Sequence, residues 1–553
     1  MSGRYGLKNK LIGALFGALL VLTGCGGGGG DGGSSGGSLT PSASVSVSGK
    51  ITYDFVPAVA SKDQSGNWLA KLDYPNTVRK PARNIVVELV DDSGKVLQST
   101  QTDVQGNYVF QAPFNTSVHV RAKAQLLRAT GSGPSWNFAV RDNSSTGYSI
   151  SGDSAALYAM DGANFNSGTQ ASIHDLNAPS GWGGSSYTAP RVAGPFAILD
   201  TVYAASQKVL QANQNAAFPP LNIFWSPGSM DGTYFGSVNG PNFIGLHIRG
   251  KEDVDTDEYD AGVIAHEWGH YFQASFSRDD SIGGTHGPGD LLDMRLAFSE
   301  GWGNAFSSMA RNDPMYIDTF GPQQASPAVV FKVDEIPATD PKAWFSETAV
   351  QSVLYRLHQS PTVGFSPIYQ AMTTQTNTPA LTSLFSFATP LRGQVNAAGQ
   401  TTIDNLLAEI NTVNGSSLDP FGVNQVVLPP SVSAGNGQFV LPVYTQLLIG
   451  QGTRVCSTIT YGGINKLGVY RYLRFNIPQT GVHQLKLVTD AGLTPEFQLF
   501  SQGNPIDGQF VKDSTAADTY NLSYVLPAQN NYVATIKAKV DTQSGCFTVT
   551  LVQ

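Results

Sequence analysis

The sequence predicts a multidomain chain in which a mixed α+β domain is flanked by two all-β sandwich domains. Its 553 residues leave room for about three or four domains. Both ends read as short alternating strands separated by turns, and the stretch between them reads mainly as helix. Hydrophobic residues make up 41% and aromatics 10%, enough to build packed cores, so global disorder is excluded. Only 13% of residues are charged, a weakly charged polar surface of the kind common in secreted proteins. The net charge is −8, and removing the three cations of the leader, Arg4, Lys8 and Lys10, leaves −11. No basic patch lies outside that leader, which argues against a nucleic-acid partner.

Residues 1–24 read as a signal peptide. Arg4, Lys8 and Lys10 form a positive start, and Leu11 to Leu22 is an apolar run of 12 residues. A membrane-spanning helix needs about 20, so the run is a signal core and not an anchor. It ends in Leu22-Thr23-Gly24-Cys25, which resembles the lipobox of bacterial lipoproteins. The resemblance implies cleavage before Cys25, acylation of that residue (palmitate included), and attachment to a bacterial membrane on its extracytoplasmic side, with the outer membrane expected. Residues 25–43 are a Gly/Ser-rich tether that cannot pack. No other segment is long and apolar enough to span a bilayer.

Residues 44–180 are expected to form the first sandwich. Val45 to Ile51 alternates, Asn84 to Val90 runs into a turn at Asp91-Asp92-Ser93-Gly94, and further strands are expected at Thr102 to Phe110, Ser117 to Ala122, and 137–160. The order Gly49, Pro81, Val87-x-Leu89, then Thr102-Asp103-x-x-Gly106-x-Tyr108 resembles the carboxypeptidase-regulatory-like domain. It implies a tight turn at Gly106 and an inward Tyr108. A Gly/Ser/Pro-rich break at 178–190 separates this unit from a domain expected over 188–425. That domain opens with helical periodicity at Phe196 to Tyr203. Strands follow at Leu221 to Trp225 and Phe243 to Ile248, and helices dominate from 257 to about 412.

The chemistry lies at Val263-Ile264-Ala265-His266-Glu267-Trp268-Gly269-His270. On a helix, residues four apart point about 40° from each other and rise ~6 Å, so both imidazoles can bind one Zn²⁺. Glu267 sits beside such a metal, placed to hold its water as a general base. With eight His and nine Glu in the chain, roughly 0.002 chance matches to His-Glu-x-x-His are expected. A third protein ligand is needed. Gln273 and Phe276 occupy the positions where a metzincin extension would carry Gly and His. A downstream carboxylate is therefore expected, and Glu300 in Ser299-Glu300-Gly301-Trp302-Gly303-Asn304 supplies one.

His266-Glu267-x-x-His270 with Glu300-Gly301-Trp302-Gly303 resembles the gluzincin metallopeptidases, the fungalysin and thermolysin-like groups in particular. The resemblance implies a zincin-type domain. His266, His270 and Glu300 would be the ligands of one Zn²⁺, and Glu267 the general base. Asn304 stands where those groups carry an aspartate that accepts a bond from the first zinc histidine; an amide oxygen can accept it too. Those families also use a downstream His or Tyr to stabilise the oxyanion, for which Tyr355 and His358 are the candidates here.

The acidic run Asp253, Asp255, Asp257, Glu258, Asp260 does not follow an EF-hand, since Glu258 and Ile264 replace its Gly and final Glu. It reads as the solvated start of a helix, where acids favour the dipole, with Ca²⁺ as the secondary reading. Residues 426–553 return to alternating strands and resemble the pre-peptidase C-terminal-like sandwich. Of three cysteines, Cys456 and Cys546 remain if lipid takes Cys25, and in an oxidising compartment they are a disulfide candidate. The expected function is a membrane-anchored zinc endopeptidase acting on protein or peptide substrates. The alternatives are a zinc aminopeptidase and an inert peptidase-fold adhesin.

Overall fold

The computed structural model describes residues 43–144, 155–230, 232–237, 244–325 and 328–552. The leader, Cys25, the tether and the strand expected at Tyr148 to Ile150 lie outside the described residues.

The N-terminal strands alternate buried and exposed residues, as in Asn107–Pro113, and so form sheets with one face on a core. One sheet is built on Ser44–Phe55, which pairs antiparallel with Val78–Pro81 and Asn107–Pro113, and parallel with Ser172–Ile173 and Leu176–Ala178. Gly106 takes a φ of 86° in the turn before Asn107, a conformation glycine adopts without strain. Tyr108 is buried, its hydroxyl donating to the His174 carbonyl at 2.5 Å.

The facing sheet does not stop at the expected domain boundary. Its nine strands run in the order Tyr234–Ser237, Ile244–Ile248, Leu221–Trp225, Trp136–Asp142, Ser117–Arg128, Ile85–Asp91, Val96–Gln101, with two short strands added to Ser117–Arg128. Leu221–Trp225 pairs parallel with Trp136–Asp142, Leu221 opposite Phe138 and Trp225 opposite Asp142. The break read at 178–190 is thus a break in the chain and not in the sheet. Local composition marks where a loop runs; it carries no trace of a pairing made across about eighty residues.

Helix α1 (Ala193–Ala212) packs on this sheet. It is followed by α2 (Ala261–Phe276), α3 (Met294–Arg311), a hairpin of Met315–Thr319 with Ala328–Lys332, and α4 (Glu347–Gln359). Three further helices, α5 (Phe365–Thr374), α6 (Leu384–Gly393) and α7 (Ala397–Glu409), complete the helical layer. A single hydrophobic core runs from Val45 and Val47 through Phe196 and Trp225 to Trp268, Trp302 and Leu407. Among the described residues, no helix is long and apolar enough to cross a membrane.

The C-terminal region is a sandwich of two five-stranded sheets around its own core, which includes Leu473, Phe475, Leu487, Tyr532 and Phe547. Cys456 and Cys546 stand directly opposite each other on paired strands, their sulfurs 2.09 Å apart. The bond closes a 90-residue span, worth about 4–5 kcal/mol at most by restricting the unfolded chain. Cys456→Ser is therefore expected to lower the denaturant midpoint of this sandwich and to free one alkylatable thiol. An unchanged midpoint would show that the cross-link contributes nothing.

Candidate metal centre

Helices α2 and α3 approach closely because each carries a glycine at the contact. A Cβ on Gly269 would stand 3.2 Å from the Gly303 Cα, and a Cβ on Gly303 would lie 2.7 Å from the His266 ring. Gly301, two residues and about 200° away, turns to the opposite side of α3. There a Cβ would meet Val350 of α4 at 2.6 Å. The Glu300-Gly301-Trp302-Gly303 run thus lets one helix be gripped from two sides. Trp302 ties the pair by donating from Nε1 to the Gly269 carbonyl at 2.9 Å. Behind it, Trp268 and Phe272 stack on Phe306.

This packing brings three of the residues singled out in the sequence together. Ligating atoms of His266, His270 and Glu300 all lie within 4.8 Å of one another. Glu300 Oε2 is 3.2 Å from His266 Nε2 and 3.4 Å from His270 Nε2, and the two Nε2 atoms are 3.0 Å apart. The outer ring nitrogens set the tautomers. Asn304 donates from Nδ2 to Glu347 Oε1 and Gln351 Oε1, both at 2.8 Å, so its Oδ1 faces His266 Nδ1 at 2.7 Å as an acceptor. His266 therefore carries its proton on Nδ1 and turns a lone pair on Nε2 to the cluster. His270 Nδ1 meets Ser299 Oγ at 3.3 Å, and Ser299 is also within reach of Asp279. Two imidazole lone pairs and a carboxylate facing one point form a donor set that a divalent cation fits.

Glu267 is buried next to this group, and the Phe235 amide donates to its Oε2 at 2.7 Å. Phe235 belongs to Tyr234–Ser237, the strand at the near end of the nine-stranded order, beside Ile244–Ile248. Burial pushes the Glu267 carboxyl above its usual range, although His266 and His270 pull it back.

Tyr355 and His358 are not brought to the cluster. Helix α4 reaches it through Glu347 and Gln351; Tyr355 lies about 6 Å and His358 about 10 Å beyond Gln351 along the same axis. The Tyr355 and His358 rings pack tilted with centroids 6.1 Å apart, and His358 packs edge-on against Phe365. The sequence reading missed His286, in the loop between α2 and α3. Its Nδ1 is bonded to Glu347 Oε2 at 2.9 Å, and its Nε2 is 3.5 Å from Glu300 Oε2. The contacts close a circuit from His266 through Asn304, Glu347, His286 and Glu300 back to His266. The C-terminal sandwich holds this loop in place. Asn465 donates to the Gly283 and Thr285 carbonyls at 2.9 and 3.2 Å, and Lys466 Nζ reaches the Thr285 carbonyl at 2.7 Å. The cluster of glycines around His286 was the available signal, a loop able to approach other backbone closely.

The acidic run is also placed differently from its reading. Asp257, Glu258 and Asp260 are buried and not solvated. Glu258 pairs with buried Arg191, and Asp260 Oδ2 accepts from the Thr319 amide and hydroxyl at 2.7 and 2.9 Å. The Asp260 partner comes from the strand Met315–Thr319 and the Glu258 partner from the segment entering α1, long-range contacts that local acidity does not announce.

No family model matches the sequence, and no curated protein matches it significantly. Among solved structures, the chain is similar to the pre-peptidase C-terminal domain of collagenase from Bacillus anthracis. Identity is 12% over 20% of this chain and 93% of that one, with a TM-score of 0.15. A Paenibacillus cycloisomaltooligosaccharide glucanotransferase complexed with cycloisomaltoheptaose matches at 8% identity over 90% of this chain and 72% of that one, with a TM-score of 0.12. The chain as a whole is multidomain and rich in β-sheet, and a pre-peptidase C-terminal domain is what part of it is similar to.

Burial disfavours charge on His270 and His286, yet the carboxylates facing them outweigh it, Glu300 for His270 and Glu347 for His286. In the metal-free protein the two are raised from 6.5 to about 10 and about 9. Stability from these pairs is complete below the unfolded value of 6.5 and is lost as pH rises through 9 and 10. The melting temperature of chelated protein should therefore fall across that window, and His286→Gln should flatten part of the fall. A flat profile in the parent protein would contradict the pairing.

Proposed function

We propose that this chain is a zinc-dependent endopeptidase with a zincin-type domain, held at a bacterial membrane surface by lipid on Cys25. The observation that carries the reading is the convergence of His266, His270 and Glu300 beside buried Glu267. Two imidazoles and one carboxylate are the ligand set of a catalytic zinc that keeps a position open. Zinc bound there supplies polarisation of a peptide carbonyl and acidification of a water.

Glu267 takes a proton at its carboxylate and passes it to the leaving amine. Its burial suits that task, because a raised carboxyl pKa makes a stronger base. The Phe235 amide fixes one carboxylate oxygen and so the direction of the other. Asn304 holds His266 in the tautomer that ligates, and Glu347 stands behind Asn304, placing a full negative charge one bond further out than a direct aspartate would. His286, oriented by Glu347, stands where Tyr355 and His358 do not reach, donating from Nε2 to the developing charge on the substrate carbonyl oxygen. The edge position of Tyr234–Ser237 beside Glu267 favours a substrate in extended form, as in cleavage within a chain.

Glu267→Gln is expected to keep its zinc and to lose about 10²–10⁴-fold of peptide cleavage, the usual effect of removing a general base. Glu300→Ala should lose zinc and cleavage together. Wild-type protein with one zinc and no cleavage of any unfolded protein would favour the inert-scaffold reading. For the anchor, Cys25→Ser should abolish acyl labelling and release the chain from the membrane fraction; unchanged labelling would refute it.

A further inference from the structure

Resting on the peptidase reading, we propose that Asn465, from the C-terminal sandwich, is a positioning residue that holds His286 at the metal centre. His286 sits in the run Gly283-Gly284-Thr285-His286-Gly287. Gly283 and Gly284 take φ of 58° and 97°, and glycine gives up more conformational freedom on ordering than any other residue. Local bonds hold the two flanks of the run. The Gly283 amide donates to Ser281 Oγ at 3.2 Å, and the Gly287 amide to Asp290 Oδ2 at 3.0 Å. The centre is held from outside. The Thr285 carbonyl accepts from Asn465 Nδ2 at 3.2 Å and from Lys466 Nζ at 2.7 Å. That carbonyl shares one planar peptide unit with the His286 amide, so two donors on its oxygen fix the plane from which His286 starts. From there the imidazole bonds Glu347 at 2.9 Å and stands 3.5 Å from Glu300.

Asn465 is itself held rigidly. It is 2% exposed, its Oδ1 accepts from Lys466 Nζ at 2.9 Å, and its Nδ2 also donates to the Gly283 carbonyl at 2.9 Å. Its amide donates to the Gly463 carbonyl at 2.8 Å, closing a γ-turn in which Ile464 has a φ of 63°. A β-branched residue disfavours that conformation, and Ile464 is 60% exposed, so its own packing does not enforce the turn. The neighbours enforce it. The Asp293 amide donates to the Asn465 carbonyl at 2.8 Å, and a Cβ on Gly463 would lie 2.4 Å from the Asp541 carbonyl oxygen. On the facing side, a Cβ on Gly284 would stand 2.9 Å from Asn465 Nδ2. Backbone strain persists where the surroundings over-determine it, and it gathers at sites with a task. Here the task is to present one side-chain amide. Asn465 meets the cap of α3, which carries Glu300, through its backbone, and the loop that carries His286 through its side chain.

The test uses the full mature chain loaded with zinc, and a peptide spanning a bond that the wild type cleaves in an unfolded protein. Asn465→Ala is expected to lower kcat at least tenfold with KM nearly unchanged and zinc still stoichiometric, because His286 is needed only as charge develops on the carbonyl oxygen. In a His286→Gln background the same substitution should change kcat less than twofold, since it acts through that ring. Lys466→Met removes the other donor to the Thr285 carbonyl. Its side chain is less buried, so this variant carries the test if Asn465→Ala does not fold, with a smaller loss of kcat and the same dependence on His286. Amide exchange read by mass spectrometry should quicken over 281–290 in either variant and stay unchanged across α4. Wild-type kcat in both variants, or an equal loss with and without His286, would overturn the proposal. Zinc-loaded wild type that cleaves no unfolded protein would sink the peptidase reading. Quicker exchange over 281–290 would then still uphold the hold on His286, and unchanged exchange would overturn it.

Discussion

The closeness of α2 to α3 is the constraint on which the rest of the molecule turns. His266 and His270 lie on one helix and Glu300 on the other, so their meeting depends on the helices touching backbone to backbone. Gly269 against Gly303 permits that contact, and any side chain at 303 would occupy the space of the His266 imidazole. A helix interior gives up about 1 kcal/mol for each glycine against alanine. The Trp302 bond to Gly269 and the stack of Trp268, Phe272 and Phe306 offset that loss by burying large aromatic surface behind the pair.

The outer domains bear on the centre rather than decorate it. The nine-stranded sheet carries the N-terminal strands and the Tyr234–Ser237 edge in one pairing scheme, so the backbone that holds Glu267 is anchored in the first sandwich. From the other end, Asn465 and Lys466 grip the loop that carries His286. The Leu467 amide adds a bond to the Leu291 carbonyl at 2.9 Å, and Tyr472 donates to Asp293 at the start of α3 at 2.6 Å. The C-terminal sandwich has its own core but is not a free appendage, since it fixes the connection between the two helices of the centre.

Part of this was legible in the sequence and part was not, for physical reasons. Residues that meet through one helix, such as His266 and His270, are fixed by the helical repeat alone. Glu300 could be placed because a scarce carboxylate sits in a second helix-like stretch, and Asn304 because the run around it resembles the gluzincin pattern. Cys456 and Cys546 were the two thiols left to pair. What could not be read depends on contacts between distant segments. His286 has no periodic neighbour; the sandwich 180 residues downstream positions it. The acids before α2 are exposed or buried according to where the Met315–Thr319 hairpin lands. Tyr355 and His358 have suitable chemistry on the right helix, but the α4 axis carries them past the cluster. The sheet pairing of Leu221–Trp225 with Trp136–Asp142 leaves no local mark at either strand.

The measurement that bears most directly on the central claim is X-ray absorption at the zinc edge of the purified full chain. Two imidazoles and one carboxylate predict stoichiometric zinc with a first shell of nitrogen and oxygen only, imidazole outer-shell scattering for two rings, and no sulfur. Chain that acquires no stoichiometric zinc, or whose zinc shows sulfur neighbours or a single imidazole, would contradict the assignment of His266, His270 and Glu300 as the metal centre.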